Sequence, residues 1–408
     1  MKNFEIPIIY RSPLISAIKA RRKIQDKMKK DLSPTLLDLG GLQIYLARHF
    51  GFCYGVENAI EISFRTIDEN PDRRIFLLSE MIHNPQVNAD LLSRGLRFLQ
   101  DTKGKQLVGF EELTADDIVI IPAFGTTLEI EHRLQEIGIR TERYNTTCPF
   151  VEKVWNRSSQ IAGRNYTIVV HGKPGHEETR ATFSHAAAET PTVVVRDMAE
   201  ALNLAAYIRG EAAAENFYAD FKGQYSAGFD ITRDLQRIGV VNQTTMLASD
   251  TQAIADLLRQ TMISVYGAAG IETHFADTRD TLCYATLDNQ NAIFGMLEAP
   301  ADLAIVVGGY NSSNTSHLVE LCEEKLPTYF IASEEKILSP QEIFHYNFHT
   351  KQELHTAGWL PSGNKPVRIL ISSGASCPDA LVEGVIRKIA AFYGAVGKID
   401  ELAAAFAG

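Results

Sequence analysis

Two patterns of apolar and polar residues alternate along the chain. Short continuous apolar runs occur at "LQIYLARHF" (42–50), "RIFLLSEMI" (74–82), "DIVIIPAF" (117–124), "YTIVVHG" (166–172) and "PTVVVRD" (191–197). They recur at "IGVVNQT" (238–244), "DLAIVVGG" (302–309), "PTYFIAS" (327–333) and "VRILISSG" (367–374). Runs that are apolar on both sides of the pleat suit strands covered on both faces of a parallel sheet. Between them, 150–164, 250–265, 285–298, 315–325 and 379–393 space their apolar residues as a helix does. The alternation predicts βαβ units and an α/β fold with mostly parallel sheets. The Ala-rich stretch 199–230 reads as a helical elaboration, and 334–366 as a short helix and a loop with no chemistry of its own.

Composition narrows the class. The chain has 408 residues, 45% hydrophobic and 22% charged, which is ample for a large core. At about 150 residues per domain, the length suggests two or three domains. The net charge of −10 disfavours a nucleic-acid-binding surface. No apolar run approaches the roughly 20 residues of a membrane span. The opening "MKNFEIPIIYRSPLISAIKARRKIQDKMKK" has no apolar core of a secretory signal, and Glu5 and Asp26 argue against a transit peptide. It reads as a basic amphipathic extension, and the expected location is cytoplasmic. The cysteines number five, an odd count without close pairs, so reduced thiols are expected and not a disulfide framework.

Three of those cysteines share a context. Cys53 in "GFCYGV", Cys148 in "NTTCPFVEKV" and Cys283 in "DTLCYATLDNQ" each stand just before a helical pattern. A helix N-terminus favours thiolate, which a soft metal site requires. Gly51 and Gly55 leave room around Cys53, and Pro149 suits a first helical turn. Any one of these cysteines is explained as well by packing as a small hydrophobe. That explanation suits Cys322 in "SHLVELCEEK", whereas Cys377 in "SSGASCPDA" is placed near the site without being a ligand. Widely spaced single cysteines do not fit a structural zinc site, which uses paired C-x₂₋₄-C ligands. They fit a [4Fe–4S] cluster with one iron open to substrate.

Polar residues gather where strands lead into helices, the ligand-binding edge of α/β folds. His83 lies in "SEMIHNPQV"; His171, His176, Glu177, Glu178 and Thr182 lie in "HGKPGHEETRAT". Asn242, Gln243, Thr244 and Thr245 lie in "VVNQTTMLASD". Asn311, Ser312, Ser313 and Asn314 lie in "VVGGYNSSNTSHL", and Ser372, Ser373 and Ser376 in "ISSGASCPDA". Singly, such residues are ordinary helix caps. Together, hydroxyls and amides at helix N-termini make phosphate sites, and histidines add capacity for an anion. Neither a P-loop nor a dinucleotide-binding glycine motif is present.

The ordered set "GFCYGVENAI", "IHNPQV", "NTTCPFVEKV", "GHEET", "NQTT", "CYAT", "NSSN" and "GASCPD" resembles the LytB/IspH family over about residues 42–395. That family comprises the 4-hydroxy-3-methylbut-2-enyl diphosphate reductases of non-mevalonate isoprenoid synthesis. The resemblance implies a trefoil of three pseudo-equivalent α/β units around a central [4Fe–4S] cluster. The implied divisions are an N-terminal extension 1–41, then units 42–148, 149–281 (with an insertion near 199–230) and 282–408. Cys53, Cys148 and Cys283 fall on the ligand positions. His83, His176, Ser312, Ser313, Asn314 and Ser376 fall on positions that bind the substrate diphosphate. Glu178 matches the proton-delivering glutamate and Thr244 the threonine beside the substrate oxygen. The resemblance also implies an allylic diphosphate substrate and a ferredoxin or flavodoxin as electron donor. Where many members carry a further histidine, this chain has Phe124, as does the longer plant and cyanobacterial subgroup; Lys173, Thr126 and Thr127 are possible replacements. Two rival readings stay open: another open-site iron–sulfur lyase, and a non-enzymatic iron or redox sensor.

Overall fold

The computed structural model describes residues 4–276, 281–363 and 365–407. The chain forms two compact units whose segments interleave in sequence. The first comprises Met1–Glu57, Ile82–Ala89 and Tyr284–Gly408; the second comprises Asn58–Met81 and Asp90–Cys283.

The first unit is built on a five-stranded sheet. Its order is Thr35–Asp38, Leu42–Leu46, Val367–Ser373, Leu303–Val307, Thr328–Ile331. Every neighbouring pair is parallel except the first. All five residues of Leu303–Val307 are buried, as the continuous run "LAIVV" predicts for a central strand. Two features depart from the expectations drawn above. Thr35–Asp38 is a strand, although residues 1–41 carried no strand pattern. It is a four-residue edge strand whose residues alternate buried and exposed, too short for its alternation to stand out. The strand Leu42–Leu46, expected to open the first α/β unit, pairs with Val367–Ser373, a neighbour that local pattern does not reveal.

The stretch 334–366 opens on the short helix Glu334–Lys336, but the part read as a loop differs. Glu342–Asn347 and Gln352–Ala357 form an antiparallel hairpin. Its residues are mostly polar and largely half-buried or exposed, so the apolar alternation that marks a strand is missing. Aromatic contacts support it: Tyr346 stacks on Tyr310 at 4.4 Å, and Phe344 lies 4.8 Å from His355.

The second unit holds two all-parallel sheets. One runs Thr192–Val195, Thr167–His171, Ile238–Asn242, Phe275–Ala276. The other runs Arg97–Phe98, Ile75–Leu77, Ile118–Ile120. The stretch 199–230 is helical mainly over Met198–Ile208. Beyond it, Gly210, Gly223 and Gly228 adopt positive φ and turn the chain repeatedly. The turns fold Phe217, Phe221 and Phe229 into a buried stack. The aromatic residues among the alanines therefore close a core and do not extend one long helix.

Candidate active site

The second unit brings Cys148, His176, Glu178, Thr244 and Cys283 to the helix-facing ends of its strands. Glu177–Ala187 is a helix, and His176 caps its N-terminus: the Glu178 backbone N–H donates to His176 Nδ1 at 3.2 Å. This fixes the other ring nitrogen as the proton-bearing one in neutral His176. Phe124 meets the His176 ring edge-on at 5.7 Å. The aromatic that stands where a histidine was looked for thus packs against the neighbouring histidine.

Glu178 is 1% exposed and Thr244 is 4% exposed. The Thr244 backbone N–H donates to Glu178 Oε1 at 2.5 Å, and the Thr244 hydroxyl donates to Oε2 at 3.0 Å. Both carboxylate oxygens are therefore held by one residue. The Thr244 turn is itself braced. Gln243 accepts from the Thr179 hydroxyl at 3.0 Å and from the Lys173 N–H at 3.1 Å, and it donates to Thr245 at 2.7 Å. A Cβ on Gly172 would lie 2.6 Å from Thr179 Oγ1 and 2.9 Å from Gln243, so only glycine lets this strand end approach so closely.

Other residues of the same stretch make hydrogen bonds to neighbouring elements. His171 Nδ1 lies 3.3 Å from the Thr251 hydroxyl. Thr182 accepts from the Trp155 indole at 3.1 Å. Glu177 accepts from the Ser79 hydroxyl.

Cys148 caps the helix Pro149–Ala162, and its N–H donates to the Ala123 carbonyl at 2.9 Å. The Cys283 N–H donates to the Thr244 carbonyl at 3.3 Å, which ties the cysteine to the residue that holds Glu178. Burial pushes the Cys148 thiol up to about 11. Backbone N–H groups of Phe150 and Val151 oppose that rise, while the negative charges of Cys283 and Glu178 add to it. The helix end alone was expected to favour thiolate, but burial outweighs it. Cys283 and Glu178 each disfavour charge on Cys148, a repulsion that a cation bound nearby would relieve.

The first unit gathers Cys53, His83, Ser312, Ser313, Asn314 and Ser376 around one connected set of hydrogen bonds. The Cys53 N–H donates to the Ala375 carbonyl at 3.1 Å, and the Ala375 N–H donates to Asn314 Oδ1 at 2.9 Å. The Ser376 hydroxyl donates to the His83 carbonyl at 3.1 Å. A Cβ on Gly309 would fall on that same carbonyl oxygen. Ser312 caps the helix Ser313–Glu323, accepting from the Thr315 N–H and hydroxyl at 3.2 and 2.9 Å. The buried Ser313 Oγ and Asn314 Nδ2 have no hydrogen-bond partner among the described residues. Each such orphan costs about 1–3 kcal/mol, a penalty that an oxygen-rich ligand would remove. Sequence reasoning missed Gly309 and Ala375, which have no side-chain chemistry of their own, and Thr315, whose hydroxyl reads as an ordinary helix-start group; only the packing shows what each holds. Gly309→Ala is expected to displace the His83 carbonyl and lower stability by about 1–3 kcal/mol, measured as a fall in midpoint by thermal denaturation.

The five cysteines separate by environment. Cys53, Cys148 and Cys283 are half-buried, whereas Cys322 and Cys377 are buried. Cys322 sits in the helix Ser313–Glu323, where burial pushes its thiol up to about 12. The Cys377 thiol is likewise pushed up by burial, and its sulfur lies 3.6 Å from the Pro378 carbonyl. Among the described residues, no three His, Cys, Asp or Glu side chains within bonding reach of one ion are found. By donor type, half-buried thiols such as Cys148 and Cys283 in the second unit and Cys53 in the first are soft ligands of the kind that iron–sulfur groups take.

A mostly parallel α/β protein whose strand ends carry thiols, a buried carboxylate–hydroxyl pair and orphaned hydroxyl and amide groups belongs to the class of enzymes that hold small anionic substrates. Comparison with known proteins names the family. The LytB protein profile matches residues 44–390. A 4-hydroxy-3-methylbut-2-enyl diphosphate reductase from Gloeobacter violaceus is 38% identical over 386 residues, covering 90% of each chain. One from Synechococcus sp. is 41% identical over 354 residues, covering 86% of each. A solved structure of (E)-4-hydroxy-3-methyl-but-2-enyl diphosphate reductase, described as the terminal enzyme of the non-mevalonate pathway, aligns with a TM-score of 0.52 and 25% identity. That alignment covers 85% of this chain and 98% of the other. The reductase from Plasmodium falciparum shares the fold, with a TM-score of 0.61 at 20% identity over 85% and 87% of the two chains. The chain belongs to the LytB family.

Proposed function

We propose that the protein is a 4-hydroxy-3-methylbut-2-enyl diphosphate reductase that uses a [4Fe–4S] cluster held by Cys53, Cys148 and Cys283. The observation that carries this reading is the buried Glu178–Thr244 pair, set beside Cys148 in a chain of this family. When bound, the cluster would supply electrons one at a time and Lewis acidity toward the substrate's hydroxyl oxygen.

The chain's own residues do the rest. His83, His176, Ser312, Ser313, Asn314 and Ser376 bind the diphosphate; the orphaned Ser313 Oγ and Asn314 Nδ2 support that role. Glu178 delivers a proton through the Thr244 hydroxyl to the leaving oxygen. The C–O bond breaks and the oxygen departs as water. Two electrons and a second proton complete a C–H bond at one or the other end of the allyl unit. The products are isopentenyl diphosphate and dimethylallyl diphosphate. Burial of Glu178 and Thr244 keeps bulk water from competing for that proton. A separate ferredoxin or flavodoxin supplies the electrons. The expected location is the cytoplasm; separately, no helix among the described residues is long and apolar enough to cross a membrane. The three-unit division at 42–148, 149–281 and 282–408 belongs to this same reading.

Asn314→Asp tests the diphosphate assignment. Its Oδ1 can still accept from Ala375, but the orphaned Nδ2 becomes a second carboxylate oxygen facing an anion. The expected result is a loss of about 10- to 100-fold in kcat/KM, carried mostly by KM. Steady-state kinetics with unchanged KM would remove Asn314 from the diphosphate site.

A further inference from the structure

Residues 4–19 have no role in the chemistry above, yet they pack on the turn that carries Cys53. Phe4 meets Tyr54 edge-on at 4.9 Å, and Tyr10 meets Phe52 edge-on at 6.0 Å. Both immediate neighbours of the cysteine are thus gripped by the N-terminal segment. Lys19 places its ammonium 4.6 Å from the Phe50 ring centre. The same ammonium binds both oxygens of Asp379, at 2.7 and 3.0 Å. Gly51 sits against this ion pair at φ +82°, and a Cβ there would collide with Asp379 and lie 2.8 Å from Lys19 Nζ. From Phe50 to Tyr54, every residue except Cys53 itself therefore packs on the segment or its ion pair.

The segment is itself fixed in place. The Ser12 hydroxyl donates to Glu383, and its oxygen caps the helix Pro13–Gln25 by accepting from Ile15 N–H at 2.9 Å. Asp379 and Glu383 lie one turn apart on the helix Asp379–Phe392, so two ties run to one rigid element. The Arg11 guanidinium donates to the Phe4 carbonyl at 3.1 Å, folding the chain's start back on itself. Phe4, Tyr10, Leu14, Ile15 and Ile18 are all buried. An extension that merely trailed from the domain would bury none of these.

We infer that residues 4–19 form a clamp that positions Cys53, with Phe4, Tyr10 and Lys19 as its positioning residues. The inference rests on the proposal that Cys53 holds the cluster, but its first test does not. In metal-free protein, hydrogen exchange followed by mass spectrometry is compared for residues 50–56 and, as an internal control, for residues 145–151 around Cys148. The Phe4→Ala/Tyr10→Ala double variant is expected to speed exchange at 50–56 about tenfold or more, with 145–151 unchanged. Tyr10→Phe keeps the ring and is expected to match the wild type. Equal exchange in the double variant and wild type would overturn the clamp, as would acceleration at both segments alike, which would report general loosening.

The second readout is iron release to a chelator from anaerobically loaded protein, with the cluster's electron-resonance signal recorded alongside. The double variant and Lys19→Met are expected to lose iron several-fold faster with an altered signal, and Tyr10→Phe and Lys19→Arg to restore both. Faster exchange at 50–56 with unaltered iron release and signal would overturn the positioning of a ligand. If wild-type protein takes up no iron at all, the cluster reading fails, and the exchange experiment still decides whether the clamp exists.

Discussion

Glu178→Gln is expected to leave the fold and the iron content unchanged while lowering reductase turnover by about 10²- to 10⁴-fold. The replacement is nearly isosteric in a site that is 1% exposed. The glutamine carbonyl can still accept from the Thr244 N–H, and the Thr244 hydroxyl can rotate to accept from the new amide. Hydrogen bonding to Thr244 is thus conserved, and what disappears is the acidic proton. Stability and function are expected to part: a melting temperature near that of the wild type, with single-turnover product formation slowed severely. Thr244→Val removes the hydroxyl but keeps the N–H donor, so it is expected to fall between the two. Wild-type turnover in Glu178→Gln, measured with the same reductant, would remove the carboxylate from the proton path.

Cys148→Ser is the second change with a large expected effect. The backbone around Cys148 is held by its own peptide groups: its N–H to Ala123, and its carbonyl accepting from Val151 at 2.8 Å. A hydroxyl in place of the thiol leaves these bonds alone, so metal-free protein is expected to melt as the wild type does. A serine hydroxyl is a far poorer ligand for iron, and iron after anaerobic reconstitution is expected to fall to a small fraction of the wild-type value. Cys377→Ala provides the contrast. That buried cysteine fills space in the first unit, so its loss is expected to cost stability while iron content stays the same. Equal iron in Cys148→Ser and wild type, measured by metal analysis, would exclude Cys148 as a ligand.

Much of this was legible because strand and helix patterns are local. Runs such as "LAIVV" become buried central strands, and the residues at their ends form the candidate site. Cys322, set apart by context in the sequence, is buried in the fold, and so is Cys377, whose context resembled that of Cys148. What was not legible depends on distant partners. The Thr35–Asp38 strand exists because Leu42–Leu46 offers it an edge, and Leu42–Leu46 in turn pairs with Val367–Ser373. The hairpin Glu342–Ala357 is polar and depends on aromatic contacts, so its sequence carries no strand period. Likewise, Glu178 and Thr244 were each visible as candidate site residues. That one threonine holds both oxygens of the glutamate required the fold. The roles of Gly309 and Gly172 are set by what a side chain would strike, which no local pattern encodes.

The most direct test of the central claim is anaerobic. Protein purified and reconstituted without oxygen is assayed for iron and sulfide, then given 4-hydroxy-3-methylbut-2-enyl diphosphate and a reduced viologen dye. The account predicts about four irons per chain, with isopentenyl and dimethylallyl diphosphates formed as the dye is oxidised. A fully loaded protein that forms neither product, or product formation that persists without iron, would contradict it.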